Sequence, residues 1–332
     1  MREITACEAE ADELASLEVY NTVWPHDAVT IEAVHAYNDS ALDHIDYLVR
    51  EDGVISGSGV GAIFAYRAHR VVTLITVLAG QRRRGAGTAL YEAISRWASE
   101  RGVRELEVSV ASNDPESLSF AQRRGFAEER REVGLVLSPA DVSPQQVQLP
   151  AGIEIVTWAL QPELARGMYE VDLEIHPDIP GFEDVTGESF EDWMAHQMQR
   201  PTDSPEATFI ALAGEEVIGF AKLSLTAPTA AGNSMTAVKR AWRGRGIARA
   251  LKATEINWAL ANGYTELHTS NEERNTPINR LNARLGYRPG IGQIHLVGPL
   301  RAWPPAGRGS TEPASRSDGS IGPRGGTDSI SR

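Results

Sequence analysis

The chain has 332 residues, 42% apolar and 23% charged, with a formal net charge of −13. That composition is globular and the length suits two domains of ordinary size, while the acidity argues against nucleic acid, whose binding needs basic side chains on phosphates. No apolar run approaches the ~18 residues of a membrane span, the acidic first residues lack a signal core, and the lone Cys7 excludes an intrachain disulfide or a cysteine zinc site. A cytoplasmic protein without membrane or nucleic-acid partners is expected.

In chain order, Arg2–Cys7 reads as an opening strand, followed by helical stretches rich in Glu, Leu and Ala. Tyr47–Val49 and Gly61–Ala65 read as a strand pair, and Val71–Leu78 as a further strand leading into an arginine–glycine segment. The helix after it places Leu90, Ile94 and Trp97 on one face and stops at Gly102. Glu105–Val110 resumes as a strand. The order then repeats: Ile153–Trp158, helices, Thr208–Leu212 with Val217–Ser224, Met235–Val238, a helix stopped by Gly263, and Glu266–Thr269. Gly57-x-Gly59-x-x-Ala62 imitates a dinucleotide fingerprint, but strand rather than helix follows it and the second half has no counterpart.

With an offset of 161 residues, Arg82–Phe126 lies on Arg243–Tyr287 without a gap, and 13 of 45 positions are identical. Chance gives about three at ordinary residue frequencies, so the chain is an internal duplication. The expected organisation is a first domain over 1–137, a linker over 138–151 rich in Pro, Ser and Gln, a second domain over 152–300, and a disordered tail over 301–332. The expected class is α/β (α+β), each domain a mixed, mostly antiparallel sheet flanked by helices with one strand–helix–strand crossover.

The chemistry lies where the strand meets the helix: Arg82-x-x-Gly85-x-Gly87, repeated as Arg243-x-x-Gly246-x-Ala248. The first turn of a helix offers unpaired N–H groups and partial positive charge, glycine lets backbone approach a ligand, and arginines add charge-assisted contacts. Such a loop binds phosphate or pyrophosphate. The candidate segments are therefore Arg82, Arg83, Arg84, Gly85, Ala86, Gly87 and Thr88, and Arg243, Gly244, Arg245, Gly246, Ile247, Ala248 and Arg249. No Gly-Lys-Ser/Thr follows either copy, so neither is a nucleotide-triphosphate loop.

On these residues both halves resemble the GNAT superfamily of N-acetyltransferases, closely over about fifty residues per half and in element order over most of 1–300. The resemblance implies two tandem acyl-CoA N-acyltransferase modules. It implies that the loops hold the pyrophosphate of acetyl-CoA and that its pantetheine arm enters between two splayed strands. It also implies that a backbone N–H near Val77 or Val238 faces the thioester carbonyl. Asn275 fits the asparagine that family members carry after the later strand, with Asn282 and Gly286-Tyr287 beyond it; the first half has Asp114, Ala121 and Gly125-Phe126. Many members place an acid tyrosine where Ala121 and Asn282 stand. The second half matches the family pattern more fully, which points to it as the catalytic half.

Amine acetylation needs a neutral amine, so a proton acceptor is required. Glu272 and Glu273 follow the strand bordering the second cleft, and Glu107 stands similarly in the first; Asn282 could hydrogen-bond the donor. Acceptor contacts are sought in Tyr20, Trp24 and His26, and in Tyr169, His176, Asp178, Phe182 and Trp193; of these His176, Asp178 and Trp193 enter the second-half site. Histidine spacing suggests no metal. The expectation is an acetyl-CoA-dependent enzyme acting on a primary amine of a small molecule, as monomer or homodimer. A protein or peptide acetyltransferase and a non-catalytic acyl-CoA-binding regulator are the alternatives.

Overall fold

Each half lays down its elements in the same order. The first contains β1 (Arg2–Ala6), α1 (Glu10–Val23), α2 (Ile31–Asp39), β2 (Asp43–Glu51), β3 (Val54–Ile63), β4 (Arg70–Val77), α3 (Ala86–Glu100), β5 (Glu105–Ala111), α4 (Pro115–Gln122) and β6 (Ala127–Leu137). The second contains β7 (Ile153–Thr157), α5 (Ala165–Ile175), α6 (Phe190–Trp193), β8 (Asp203–Ala213), β9 (Glu216–Ala227), β10 (Ala230–Val238), α7 (Ile247–Ala261), β11 (Glu266–Glu272), α8 (Thr276–Arg284), β12 (Arg288–Pro289) and β13 (Gln293–Pro299). The computed structural model describes residues 1–25, 28–142, 144–179 and 189–301, at Tyr66 the backbone alone. His26, Phe182 and the expected disordered tail beyond Arg301 lie outside the described residues.

Helix α3 forms because its apolar residues recur at helical spacing: Leu90, Ile94, Trp97 and Ala98 are all buried. They cover Val71 of β4 and Leu106 of β5, which are fully buried too. Burying each of the larger aliphatic side chains contributes roughly 1.5–3 kcal/mol. α1 and α2 meet the alternate residues of β2, with Arg50 Nη2 donating to Asp12 at 2.8 Å and Asn38 donating to Asp46 at 3.4 Å. The glycines at 57 and 59 sit inside β3, so the fingerprint-like pattern is strand interior. β3 ends at Ile63, two residues short of the expected strand end at Ala65, and Ala65–Arg67 turns. The turn drops Arg67 onto Glu107, both of whose oxygens it meets at 2.6 Å.

All strands join one sheet in the order β1-β2-β3-β4-β5-β13-β6-β11-β10-β9-β8-β7, with β12 also on β6. The two halves are therefore stitched by exchange. β13 of the second half pairs with β5 of the first, β6 of the first pairs with β11 of the second, and β6 and β13 pair with each other at the centre. The exchange brings backbones into contact where the β12–β13 connection passes β6. A Cβ on Gly134 would lie 1.8 Å from the carbonyl oxygen of Ile291, so only glycine fits there.

Candidate functional site

In the first half, β4 and β5 run parallel from Arg70 and Glu105 to Thr73 and Val108, and their pairing ends there. β4 stays with β3 up to Val77 and β5 with β13 up to Ala111, so the strands part. The gap is a cavity of about 440 Å³, walled by Thr76, Val77, Tyr91 and Ser109 and reaching Trp24 at the end of α1 and Phe120 of α4. The Leu78 N–H donates to the Ser56 carbonyl at 3.0 Å; strand alternation turns the Val77 N–H the other way, towards the gap.

At the mouth, Gly85 is the N-cap of α3 in the left-handed region (φ +99°) and no side chain caps the helix. The N–H groups of the first turn are thus left without intrahelical partners. Arg83 also has positive φ (63°), a rare state for a side-chain-bearing residue. Arg82 does not reach out freely: its Nε donates to the Val77 carbonyl at 3.2 Å. Arg2 braces the loop from β1, bonding the Arg84 carbonyl and, at 2.9 Å, Glu51. Arg124, which sequence reasoning did not single out, lies over the Phe120 ring at 3.5 Å and donates to Thr88 Oγ1 at 2.6 Å. Tyr91 was missed as well; its hydroxyl donates to the Pro299 carbonyl at 2.8 Å. Both depend on packing between distant segments, and no local motif announces them.

The second loop repeats the backbone. Arg243 Nε donates to the Val238 carbonyl at 3.1 Å, Gly244 and Gly246 have φ of +75° and +85°, and no side chain caps α7. Its surroundings differ. Asp178 takes Arg240 at 2.7 and 2.9 Å and Arg243 at 2.7 Å, and these arginines hold its carboxyl down at about 2. Glu174 accepts from the Arg240 N–H at 2.6 Å. A smaller cavity of about 290 Å³ lies outside the loop, between Arg245, Gly246 and Arg249 and the linker residues Gln146, Gln148 and Pro150.

Behind this loop the interior is polar. Lys252 and Glu255 are each 1% exposed. Asn233 joins them, its Oδ1 accepting from Lys252 Nζ at 2.7 Å while its Nδ2 donates to Glu255 at 2.7 and 2.9 Å. Burial pushes the Lys252 ammonium down and the Glu255 carboxyl up, each opposed by the charge of the other. The matching first-half positions are Tyr91 and Ile94 in the helix and, by the strand ladders, Thr73 in β4.

The remaining candidates are scattered. Glu272 is 8% exposed and accepts from the backbone N–H and the Nε of Arg274, both at 2.7 Å. The Glu273 N–H donates to the Arg131 carbonyl at 2.8 Å, across the seam. Asn275 is the N-cap of α8 without capping it through its side chain. Asn282 is fully buried and neither side-chain polar atom has a partner. Asp114, the first-half counterpart of Asn275, caps α4 and lines the larger cavity. His176 stands 3.8 Å from Asp172. Trp193 is 1% exposed, packed among Tyr169, Phe190 and Phe220. The structure thus gathers the first-half loop residues around a cavity, except Arg84, which donates to Gln81 at 3.2 Å, and spreads Glu272, Asp178 and Trp193 among separate packing roles.

Among the described residues no group of three or more His, Cys, Asp or Glu gathers as a metal site, and no helix is long and apolar enough to cross a membrane.

A splayed parallel strand pair over a glycine-started helix, built twice on one sheet, defines a tandem acyltransferase fold. The chain belongs to the acetyltransferase (GNAT) family, whose model matches residues 10–126 and 166–287, and is by that membership an N-acetyltransferase. Its fold is similar to a tandem GNAT protein from the clavulanic acid biosynthesis pathway, at 20% identity over 92% of this chain and 100% of that one (TM-score 0.74). It is also similar to a GCN5-related N-acetyltransferase from Sphaerobacter thermophilus, at 21% identity over 91% and 96% (TM-score 0.70). No curated protein sequence matches the chain.

Proposed function

We propose that this acetyltransferase takes its acetyl group from acetyl-CoA, binds it in the first-half cleft, and passes it to a primary amine of a small molecule. The carrying observation is the 440 Å³ cavity between β4 and β5, opening beside an uncapped helix start. The donor fits what is there. The bare N–H groups opening α3, with Arg83 and Arg123 at the cavity wall, suit a diphosphate. The apolar β4–β5 gap suits a narrow arm. When bound, acetyl-CoA supplies an activated thioester carbonyl, and the Val77 N–H is placed to favour oxygen bearing negative charge.

The fuller family match of the second half points the other way, and α7 also starts uncapped beside Arg245 and Arg249, but two of its four arginines are already paired. Asp178 already occupies Arg240 and Arg243, and the Lys252–Asn233–Glu255 cluster takes the place of the apolar wall. We read the second half as the scaffold that completes the first.

Calorimetry with acetyl-CoA tests this. One site per chain is expected; Gly87→Trp, which blocks the cleft at the start of α3, removes it, and the equivalent Ala248→Trp leaves it. Loss of binding in Ala248→Trp alone would return the site to the second half. Thiol release across a panel of primary amines separates an enzyme from a binding protein.

A further inference from the structure

The strand exchange does more than hold the halves together. It carries a histidine to the edge of the first-half cleft. His295 of β13 sits opposite Ser109 of β5 in the ladder, and its Nδ1 lies 2.8 Å from Ser109 Oγ. Ser109 is the first β5 residue past the last β4–β5 pair, is exposed and lines the cavity. It points to the sheet face opposite Val108 and Val110, which pack under α3. On its other side His295 is closed in, 8% exposed, with Nε2 buried 3.1 Å from Glu132 Oε1, within ion-pair reach but without a hydrogen bond.

We propose that His295 receives the proton that the acceptor amine loses, with Ser109 as the intermediary and Glu132 fixing the ring. This rests on the first-half cleft being the reacting one. An ammonium substrate passes one proton to Ser109 Oγ as the serine hydroxyl proton moves to Nδ1, which leaves a neutral amine and an imidazolium beside the Glu132 carboxylate. The amine nitrogen bonds the thioester carbon, the carbon–sulfur bond breaks, and the second nitrogen proton ends on the thiolate sulfur. His295 returns its proton to solvent.

Everything packed around the ring agrees with this role. Glu132 accepts from Ser270 Oγ of β11 at 2.9 Å and from Arg130 of β6, and stays ionised. With His295 first among the causes and Ser270 and Arg130 adding, its carboxyl is held at about 2. Glu107 of β5 is the other carboxylate nearby, and Arg67 from the turn before β4 meets both of its oxygens at 2.6 Å; Arg130 stands 3.9 Å away and Arg70 4.0 Å. Glu107 is thereby committed, which leaves the histidine as the acceptor. Ser109 and Ser270 are equivalent across the repeat, yet the residue opposite Ser270 is Gly134. The relay exists for the first half alone.

Nitrogen-15 NMR of the full chain labelled at histidine tests the tautomer without any acceptor in hand. His295, assigned by its absence in His295→Gln, is expected with Nδ1 unprotonated and Nε2 carrying the proton at neutral pH, with Nδ1 shifting in Ser109→Ala. A proton on Nδ1, or a ring doubly protonated at neutral pH, overturns the proposal. In turnover with acetyl-CoA and a primary-amine panel, His295→Gln is expected to lower kcat about a hundredfold, within the range of lost general-base catalysis, and to flatten the acid limb of the pH profile. Acetyl-CoA affinity stays unchanged. A parallel fall at every pH would mark a packing role instead; a chain that binds no acetyl-CoA fails the function, not the relay.

Discussion

Tyr91 and Lys252 stand at equivalent positions of α3 and α7, 161 residues apart, and the two half-sites diverge at that pair. The tyrosine ring walls an open cavity while its hydroxyl is held by Pro299. The lysine, 1% exposed, sends its ammonium into the protein to Asn233 and lies 5.4 Å over the Tyr287 ring. One duplication has thus given a cavity wall in one half and a buried polar cluster in the other.

The buried cluster makes a stability prediction. Breaking a buried charge pair by removing one partner costs about 3–5 kcal/mol, whereas replacing both by apolar groups can be neutral. Lys252→Met should therefore destabilise strongly, and Lys252→Met with Glu255→Leu should recover most of the loss in urea unfolding. Glu255 has its carboxyl raised by burial, so the folded state holds that proton more tightly than the unfolded chain does. Stability therefore falls as pH rises from about 4.5 to about 7, and the single variant should lose more at pH 8 than at pH 5. Equal losses in the single and the double variant would show that the pair is not coupled.

Most of this architecture is legible in the residues, and what is not has a physical reason. The duplication, the glycine-started helices and the buried stripe Leu90–Ile94–Trp97 follow from local spacing, and the structure has each. The exchanged centre of the sheet does not, because β6 and β13 pair with residues 130 (Leu137 with Leu267) to 194 (Glu105 with Pro299) positions away and carry no mark of which partner they choose. The same blindness hides Arg124 on Thr88 and His295 on Ser109. A motif records the loop backbone, which is the same in both copies, and is silent about Asp178 arriving from α5's end to occupy its arginines.

Acid should act through Glu132. Its folded value of about 2 lies below the ordinary glutamate range, so its contribution is present above about pH 4.5 and is lost as pH falls from there towards 2. Glu132→Gln should remove that component: the wild type loses stability more steeply between pH 4.5 and 2.5 than the variant does. Parallel curves would mean that the carboxylate has no special partner.

We treat residues 1–137 and 152–301 as halves that cannot be separated. Alone, the first half exposes the edges of β5 and β6 that β13 covers, and open edges invite aggregation. Expressed separately, each half should be insoluble or poorly folded by circular dichroism. Expressed together, they should assemble into a complex that binds acetyl-CoA. A monomeric, folded first half that binds acetyl-CoA alone would contradict the exchange.

The seam also has a single point of highest sensitivity. At Gly134 a methyl group meets the backbone of Ile291 and Gly292, the carbonyl oxygen at 1.8 Å and the amide nitrogen at 2.9 Å. Backbone cannot swing aside as a side-chain tip can, so β12 and β13 would have to lift from β6. Gly134→Ala should lower the melting temperature by on the order of 5–10 °C, the effect of a few kcal/mol in a chain of this size. Gly232→Ala in β10, where an added methyl meets nothing within 4 Å, should change it little. Because the lifted connection runs directly into β13, Gly134→Ala should also loosen His295 from Ser109. Its histidine NMR signal should broaden even at temperatures where the variant remains folded.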